Sequence, residues 1–291
     1  MRDAPFRAVF HACLAQDVRW IAWCRGIAAA ASVVVVVASA SARAEPPLFS
    51  GSYIGLNAGV AWGQSSFSTN PNCQVLSTTD ATFCNAAPDP SAVNGTAVAA
   101  SGSGRLSPSG FAGGVQAGYN WQRGHIVYGA EVDFGAFDME KRATESGVFP
   151  FAFLGTQYTV VQKISADWLA TVRARVGVTT MPHVLLYATG GLAFSDVKFS
   201  SSYSDNAIDA TFPGGAGYGA KSAIRTGWTA GTGVEWAHDR DWLIRVEYLY
   251  VDLGSMRVAV PTSNTPGFTQ TMTVRSDLTA QIGRLGVSYR F

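Results

Sequence analysis

Apolar and polar residues alternate with a period of two through most of the chain. In "SYIGLNAGVAW" one face carries Ile54, Leu56, Ala58, Val60 and Trp62, and the other Gly55, Asn57 and Gly59. "GFAGGVQAGYNW" sets Phe111, Val115, Ala117, Tyr119 and Trp121 against Gly114, Gln116, Gly118 and Asn120. The same two-sidedness recurs in "IVYGAEVDFGA", "DWLATVRARVGV", "VLLYATGGLAF", "RTGWTAGTGVEW", "DWLIRVEYLY" and "AQIGRLGVSYRF". Period-two alternation predicts strands that separate two environments. These eight segments are each about ten residues long, enough for a tilted strand to cross a bilayer.

The links between them alternate too. "QRGH", "TTMPH" and "AHDR" are short, whereas 64–108, 137–165, 196–224 and 253–273 are long and rich in Ser, Thr, Gly and Asp. Short turns at one end and long links at the other suit an up-and-down barrel of the membrane type. The predicted fold is therefore all-β: an eight-stranded antiparallel transmembrane barrel with four long extracellular loops and short periplasmic turns. A soluble lipocalin-like barrel, apolar inside, is the alternative.

Three features weigh against that alternative. Trp62, Trp168 and Trp228 fall at the long-link ends of the apolar face, and Trp121, Trp236 and Trp242 at the short-turn ends. Two such girdles match the two interfaces of a bilayer. Glycine crowds the opposite face, where it leaves room for long side chains. That face also balances Glu131, Asp133, Glu235 and Glu247 against Arg173, Arg175, Arg245 and Arg284. Equal numbers of opposite charges predict an enclosed ion-pair network. The whole chain is 47% hydrophobic and only 14% charged.

The N-terminus departs from the period. Arg19 and Arg25 precede the apolar run "GIAAAASVVVVVASA", and Ala42-Arg43-Ala44 follows it. A positive flank, a short apolar core and an A-x-A site predict a secretory signal over residues 1–44, cleaved after Ala44, with the barrel domain over 45–291. A membrane anchor is the other reading, for which the run is short. Removing residues 1–44, which carry five Arg and two Asp, turns the formal charge of +1 into −2. No basic run remains to serve a nucleic-acid partner. Cys13 and Cys24 leave with the leader, and Cys73 and Cys84 remain as an expected disulfide stapling the first long link.

"YIGLNAGVAWG", "GGVQAGYNWQ", "LYATGGLAFS", "VEYLYVDLG" and "LGVSYRF" together resemble the small outer-membrane β-barrel proteins of alphaproteobacteria, the major outer-membrane antigen group of rhizobia and brucellae. These are relatives of the OmpA barrel and the opacity proteins. The resemblance covers residues 51–291 and implies residence in the outer membrane of a Gram-negative cell, with membrane lipid and the assembly machinery as partners. It also implies that Leu285, Val287, Tyr289 and Phe291 form the terminal signal read by that machinery. The leader and the long first link depart from the family. No peptidoglycan-binding domain is expected after Phe291.

Candidate chemistry is sparse. His125, His183 and His238 sit in or beside three different short turns, and no nucleophile, metal or phosphate motif accompanies them. No enzyme, cofactor or metal is expected. The expected role is structural: a plugged barrel that stabilises the outer membrane and displays its loops. A small porin, with the inward charges lining its path, is the alternative. A third reading makes the long links an adhesive or ligand-binding surface, with host or ligand unspecified. "VFPFAFLGTQY" is their most apolar stretch, expected as strand rising above the membrane, with a contact patch as the alternative.

Overall fold

The computed structural model describes residues 47–72, 91–150, 155–206, 214–265 and 268–291. The expected cleavage site at Ala42 and Ala44, and both Cys73 and Cys84, lie outside the described residues. Residues 46–291 form one compact unit.

Nine strands and one helix are present among the described residues. They are β1 (Gly51–Asn70), α1 (Ser91–Ser101), β2 (Gly104–Leu106), β3 (Ser109–Arg123), β4 (Ile126–Val148), β5 (Gln157–Met181), β6 (Val184–Asp205), β7 (Ala216–Ala237), β8 (Trp242–Thr265) and β9 (Phe268–Arg290). Each of β3 to β8 pairs antiparallel with the next, and β1 pairs with both β3 and β9. Eight long strands thus close into a ring, and the short β2 adds only to the upper part of β1. Closure matters physically, because an open edge would leave backbone N–H and C=O groups unsatisfied in hydrocarbon.

The eight long strands run 15 to 25 residues, longer than a bilayer requires. Much of the sequence read as long links is therefore strand, with β4 continuing to Val148, β5 starting at Gln157, and β8 and β9 separated only around residues 266–267. The apolar "VFPFAFLGTQY" stretch contributes the end of β4, the start of β5 and Phe149, whose ring stacks 5.1 Å from that of Tyr158.

The additional length divides the barrel into two storeys. On β6 the outward side chains run Leu186, Ala188, Leu192, Phe194 and then turn polar at Asp196, Lys198 and Ser200. The inward ones run Tyr187 and Thr189 and then turn apolar at Ala193, Val197, Phe199 and Tyr203, all buried. On β8, Trp242, Ile244, Val246, Tyr248 and Tyr250 face out below Asp252 and Arg257, and Arg245 and Glu247 face in below Leu249, Val251, Leu253, Met256, Val258 and Val260. The lower storey is apolar outside and polar inside; the upper storey is the reverse. One continuous core, from Phe137 and Met139 to Met272, Val274 and Ile282, fills the upper storey. Helix α1 packs against β1, β4 and β5 and adds Val98 to that core.

Register shifts cluster where the storeys meet, between Ala136 and Met139, Ala166 and Leu169, and Asp252 and Ser255. A bulge inserts a residue and re-aims the side chains that follow. In β8 the bulge is carried by Gly254, whose φ of +67° is open to glycine and strained for other residues. The short-turn end is closed differently. Phe49, just before β1, packs with Val127, Leu185, Ala237 and Leu243 across that mouth, and its amide donates to Gln122 Oε1 at 3.0 Å.

Candidate functional site: the charged layer inside the barrel

The lower storey has a polar interior because every strand presents its inward parity there. Glu131 and Asp133 come from β4, Arg173 and Arg175 from β5, Glu235 from β7, Arg245 and Glu247 from β8, and Arg284 from β9. All eight are buried. The structure brings them together into one network across the lumen. Arg173 Nη2 lies 2.5 Å from Glu131 Oε1 and 2.7 Å from Asp133 Oδ2, while its Nη1 reaches Glu247 Oε1 at 3.1 Å. Arg245 pairs with Glu131 and lies 3.2 Å from Glu235 Oε2, which Arg175 also meets at 3.2 Å. Arg284 closes the ring of contacts, 2.6 Å from Glu247 Oε2 and 3.4 Å from Asp133 Oδ1.

Each of the four carboxylates therefore bridges at least two arginines on different strands. Such linkage decides whether burial is tolerable. A charge taken from water into a protein interior costs several kcal/mol, roughly, and only partners of opposite sign and satisfied hydrogen bonds offset it. Four carboxylates against four guanidinium groups meet that condition in number.

Neutral side chains missed in the sequence reading complete the layer. Tyr53 Oη donates to Glu131 Oε2 at 2.6 Å, Tyr187 Oη donates to Glu247 Oε1 at 2.9 Å, and Thr171 Oγ1 donates to Asp133 Oδ2 at 2.6 Å. The Arg175 guanidinium stacks 4.0 Å over the Tyr187 ring. From β1 and β3, Asn57 donates to Gln116 at 3.0 Å, and Gln116 donates to Ser288 Oγ at 3.0 Å. The signal for both tyrosines was parity: Tyr53 shares a face with Gly55 and Asn57, and Tyr187 alternates with Leu186 and Ala188. Glycine makes their room. A Cβ on Gly233 would meet Tyr187 Oη at 2.5 Å, and one on Gly118 would collide with Tyr53 in the same way.

Outside, the lower storey exposes Ile54, Leu56, Val60, Phe111, Val115, Val132, Phe134, Val172, Val176, Leu192, Val234, Ile244, Val246, Leu285 and Val287. A continuous apolar belt of that extent has no place in water. Aromatic pairs mark both of its rims. Trp62 lies 6.5 Å from Tyr248, Phe134 lies 5.9 Å from Trp168, and Trp228 lies 5.3 Å from Tyr250 toward the long-link end. At the short-turn end Trp121 stacks on Tyr128 at 5.7 Å, Trp242 meets Tyr289 at 5.3 Å, and Trp236 meets His238 at 5.1 Å. Leu285, Val287, Tyr289 and Phe291 form one outward row along β9, which pairs with β1 from Tyr53↔Arg290 upward. His125, His183 and His238 sit in three separate turns, and His125 Nδ1 is 3.1 Å from Thr179 Oγ1.

A closed ring with an apolar exterior and a polar interior is what a barrel in lipid requires. The family model described as outer membrane protein beta-barrel domain matches residues 28–291. The chain belongs to that family. It is 34% identical over 272 residues to the 31 kDa outer-membrane immunogenic protein of Brucella melitensis, covering 91% of this chain and 93% of that one. It is also 35% identical over 148 residues to a 22 kDa outer membrane protein of Rhizobium leguminosarum, covering 50% and 54% of the two chains. Among solved structures, the outer membrane protein OprG of Pseudomonas aeruginosa aligns over 83% of this chain and 96% of its own, at 12% identity and a TM-score of 0.43. The protein is thus a β-barrel of the Gram-negative outer membrane, and the apolar belt is its lipid-facing surface.

Proposed function

We propose that this outer-membrane barrel is a non-conducting scaffold that braces the membrane and carries a folded surface domain on its outer side. The observation that carries the reading is the charged layer itself, in which Arg173, Arg245 and Arg284 tie β4, β5, β7, β8 and β9 together across the lumen. Apolar side chains lie on both sides of that layer, Phe49 with Leu185 and Leu243 below it and Leu249 with Val251 and Ile282 above it. A solute would have to break several charge-assisted bonds in a medium with little water to replace them.

The two ends of the lipid-facing belt carry tryptophan and tyrosine, which anchor a barrel at the bilayer interfaces. The outward row Leu285, Val287, Tyr289 and Phe291 lies on the strand that closes the ring, and it is the surface through which the assembly machinery engages the chain. The polar outer face of the upper storey is what the cell shows its surroundings; the Brucella relative, named for its immunogenicity, fits that exposure. Swelling of vesicles that contain the protein tests the scaffold reading. Vesicles loaded with a small sugar or amino acid should swell no faster than protein-free vesicles, and swelling at porin-like rates would overturn it.

A further inference from the structure

Below the charged layer, the short-turn mouth is closed by chain that belongs to no strand. β1 begins at Gly51, whose φ of +126° suits glycine alone, and a Cβ there would meet Phe291 O at 3.0 Å. From that turn residues 47–50 enter the mouth rather than continue the wall. They take part in no ladder among the described residues and are held through side chains. Phe49 N donates to Gln122 Oε1, Ser50 Oγ donates to Asn120 O at 3.3 Å, and the Arg290 guanidinium donates to the carbonyls of Leu48 and Pro47. Arg290 is itself fixed by the β7–β8 turn, where its guanidinium donates to Arg240 O and its amide to Asp241 O. Phe49 is 1% exposed and packs in one cluster with Leu185, Leu243 and Tyr187, the ring on which Arg175 stacks.

Polar atoms stand without partners between that stopper and the layer. Among the described residues nothing hydrogen-bonds to Asn120 Nδ2 or Oδ1, Arg175 Nε or Glu235 Oε1, although all three residues are buried. They adjoin one another. Asn120 and Arg175 are the two ladder partners of Gly129, and a Cβ on Gly129 would meet Asn120 Oδ1 at 2.4 Å. Arg175 in turn reaches Glu235 Oε2 at 3.2 Å. Buried donors and acceptors left bare lose their hydration without return. This set offers both donors and acceptors, and the four carboxylates of the layer already match its four guanidinium groups, so an added ion would unbalance it. Water, which donates and accepts, is the ligand that this chemistry selects.

We propose that residues 47–50 form a periplasmic gate over a water-binding chamber lined by Asn120, Arg175 and Glu235, with Phe49 as stopper, Gly51 as hinge and Arg290 as catch. Swinging the strap outward breaks its side-chain-mediated bonds and no ladder bond, so the wall of the barrel is undisturbed. Cleavage after Ala44 would make the strap the free end that such a motion needs. Opening wets the charged layer from the periplasm and goes no further, because the upper storey stays packed above it. That limit rests on the shut lumen of the scaffold reading; the gate and the chamber do not.

The test uses protein purified from outer membranes in detergent micelles, where both mouths meet solvent, with Asn120→Cys as the reporter. The probe is a small cationic methanethiosulfonate, and modification is read by mass on the peptide that contains position 120. With Phe49 in place that thiol should react slowly. Phe49→Gly should speed the reaction about tenfold or more and Arg290→Gln about threefold or more, as the loss of a buried aromatic or of charge-assisted bonds shifts a two-state equilibrium. A thiol placed in the upper storey by Val197→Cys should stay unmodified in both backgrounds. Heat-dependent gel mobility reports that each variant is folded. In the wild type, the side-chain amide of Asn120 should show magnetisation transfer from bound water. Fast reaction at position 120 with Phe49 in place, or a rate unchanged by Phe49→Gly, would overturn the gate. So would equal acceleration at position 197, which marks general loosening. An Asn120 amide without transfer from water would overturn the chamber. Swelling of vesicles that contain the Phe49→Gly protein would contradict the shut lumen and support the gate.

Discussion

Removing the guanidinium of Arg173 would leave Glu131, Asp133 and Glu247 each short of a partner. The cost of such a deletion is the uncompensated charge left behind, about 3–5 kcal/mol. Arg173→Ala should therefore lower the urea midpoint for loss of the heat-modifiable gel form, and adding Glu247→Gln should recover part of the loss by restoring charge balance. A midpoint equal to wild type would show that the layer is solvated and structurally idle. Gly233→Val should also destabilise, by about 1–3 kcal/mol, because the new side chain occupies the place of the Tyr187 hydroxyl. In the β7–β8 turn, Asp239 Oδ1 accepts from the amides of Asp241 at 2.9 Å and Trp242 at 2.7 Å, which hold its carboxyl below its ordinary value of 3.8. A depressed carboxyl stabilises above the unfolded value and ceases to do so as pH falls through the folded one. Protection of those two amides, measured relative to the intrinsic exchange rate, should accordingly fall on acidification below about pH 3.8 and stay constant between pH 5 and 8. At this scale the sequence was readable wherever parity was strict: eight charges of one parity converged. Tyr53 and Tyr187 keep the same parity, but an aromatic near a strand end resembles the girdle, and their burial and hydrogen bonds to Glu131 and Glu247 show that these two point inward.

At the scale of elements, the strand cores that cross the membrane were legible and their extensions were not. The inward residues Phe137, Met139, Val197, Phe199, Met256, Val258, Val260, Met272 and Val274 keep the period of two. Their outward neighbours, such as Ser200, Ser202 and Thr273, are of the kind that fills loops, and a fully solvated face conceals a strand whose other face is apolar. Above the membrane, burial obeys the rule for water-soluble sheets. Phe199→Ala should cost about 3–5 kcal/mol in urea unfolding, as for a packed aromatic in a core. Lys198→Ala, on the same strand and facing water, should change stability by no more than about 0.5 kcal/mol. Equal effects at the two positions would contradict the upper storey as a packed core. The bulges lie between the two regimes, and Gly254→Ala should cost about 1–2 kcal/mol by forcing a side chain into a left-handed backbone.

At the scale of the whole molecule, the proposed scaffold requires a lumen shut by balanced charge between two apolar layers. The charges were legible in the sequence, and the apolar clusters on either side of them were not. Phe49 precedes the first strand, and the apolar filling of the upper storey comes from segments that read as links. The decisive measurement is single-channel conductance of the protein in planar bilayers, using preparations whose gel mobility shifts on heating. The account predicts silent membranes for the wild type, and openings only when the layer is dismantled, as in Arg173→Ala. Reproducible wild-type steps whose ion selectivity changes with Glu131→Gln would contradict it, and would make the charged layer a filter rather than a plug.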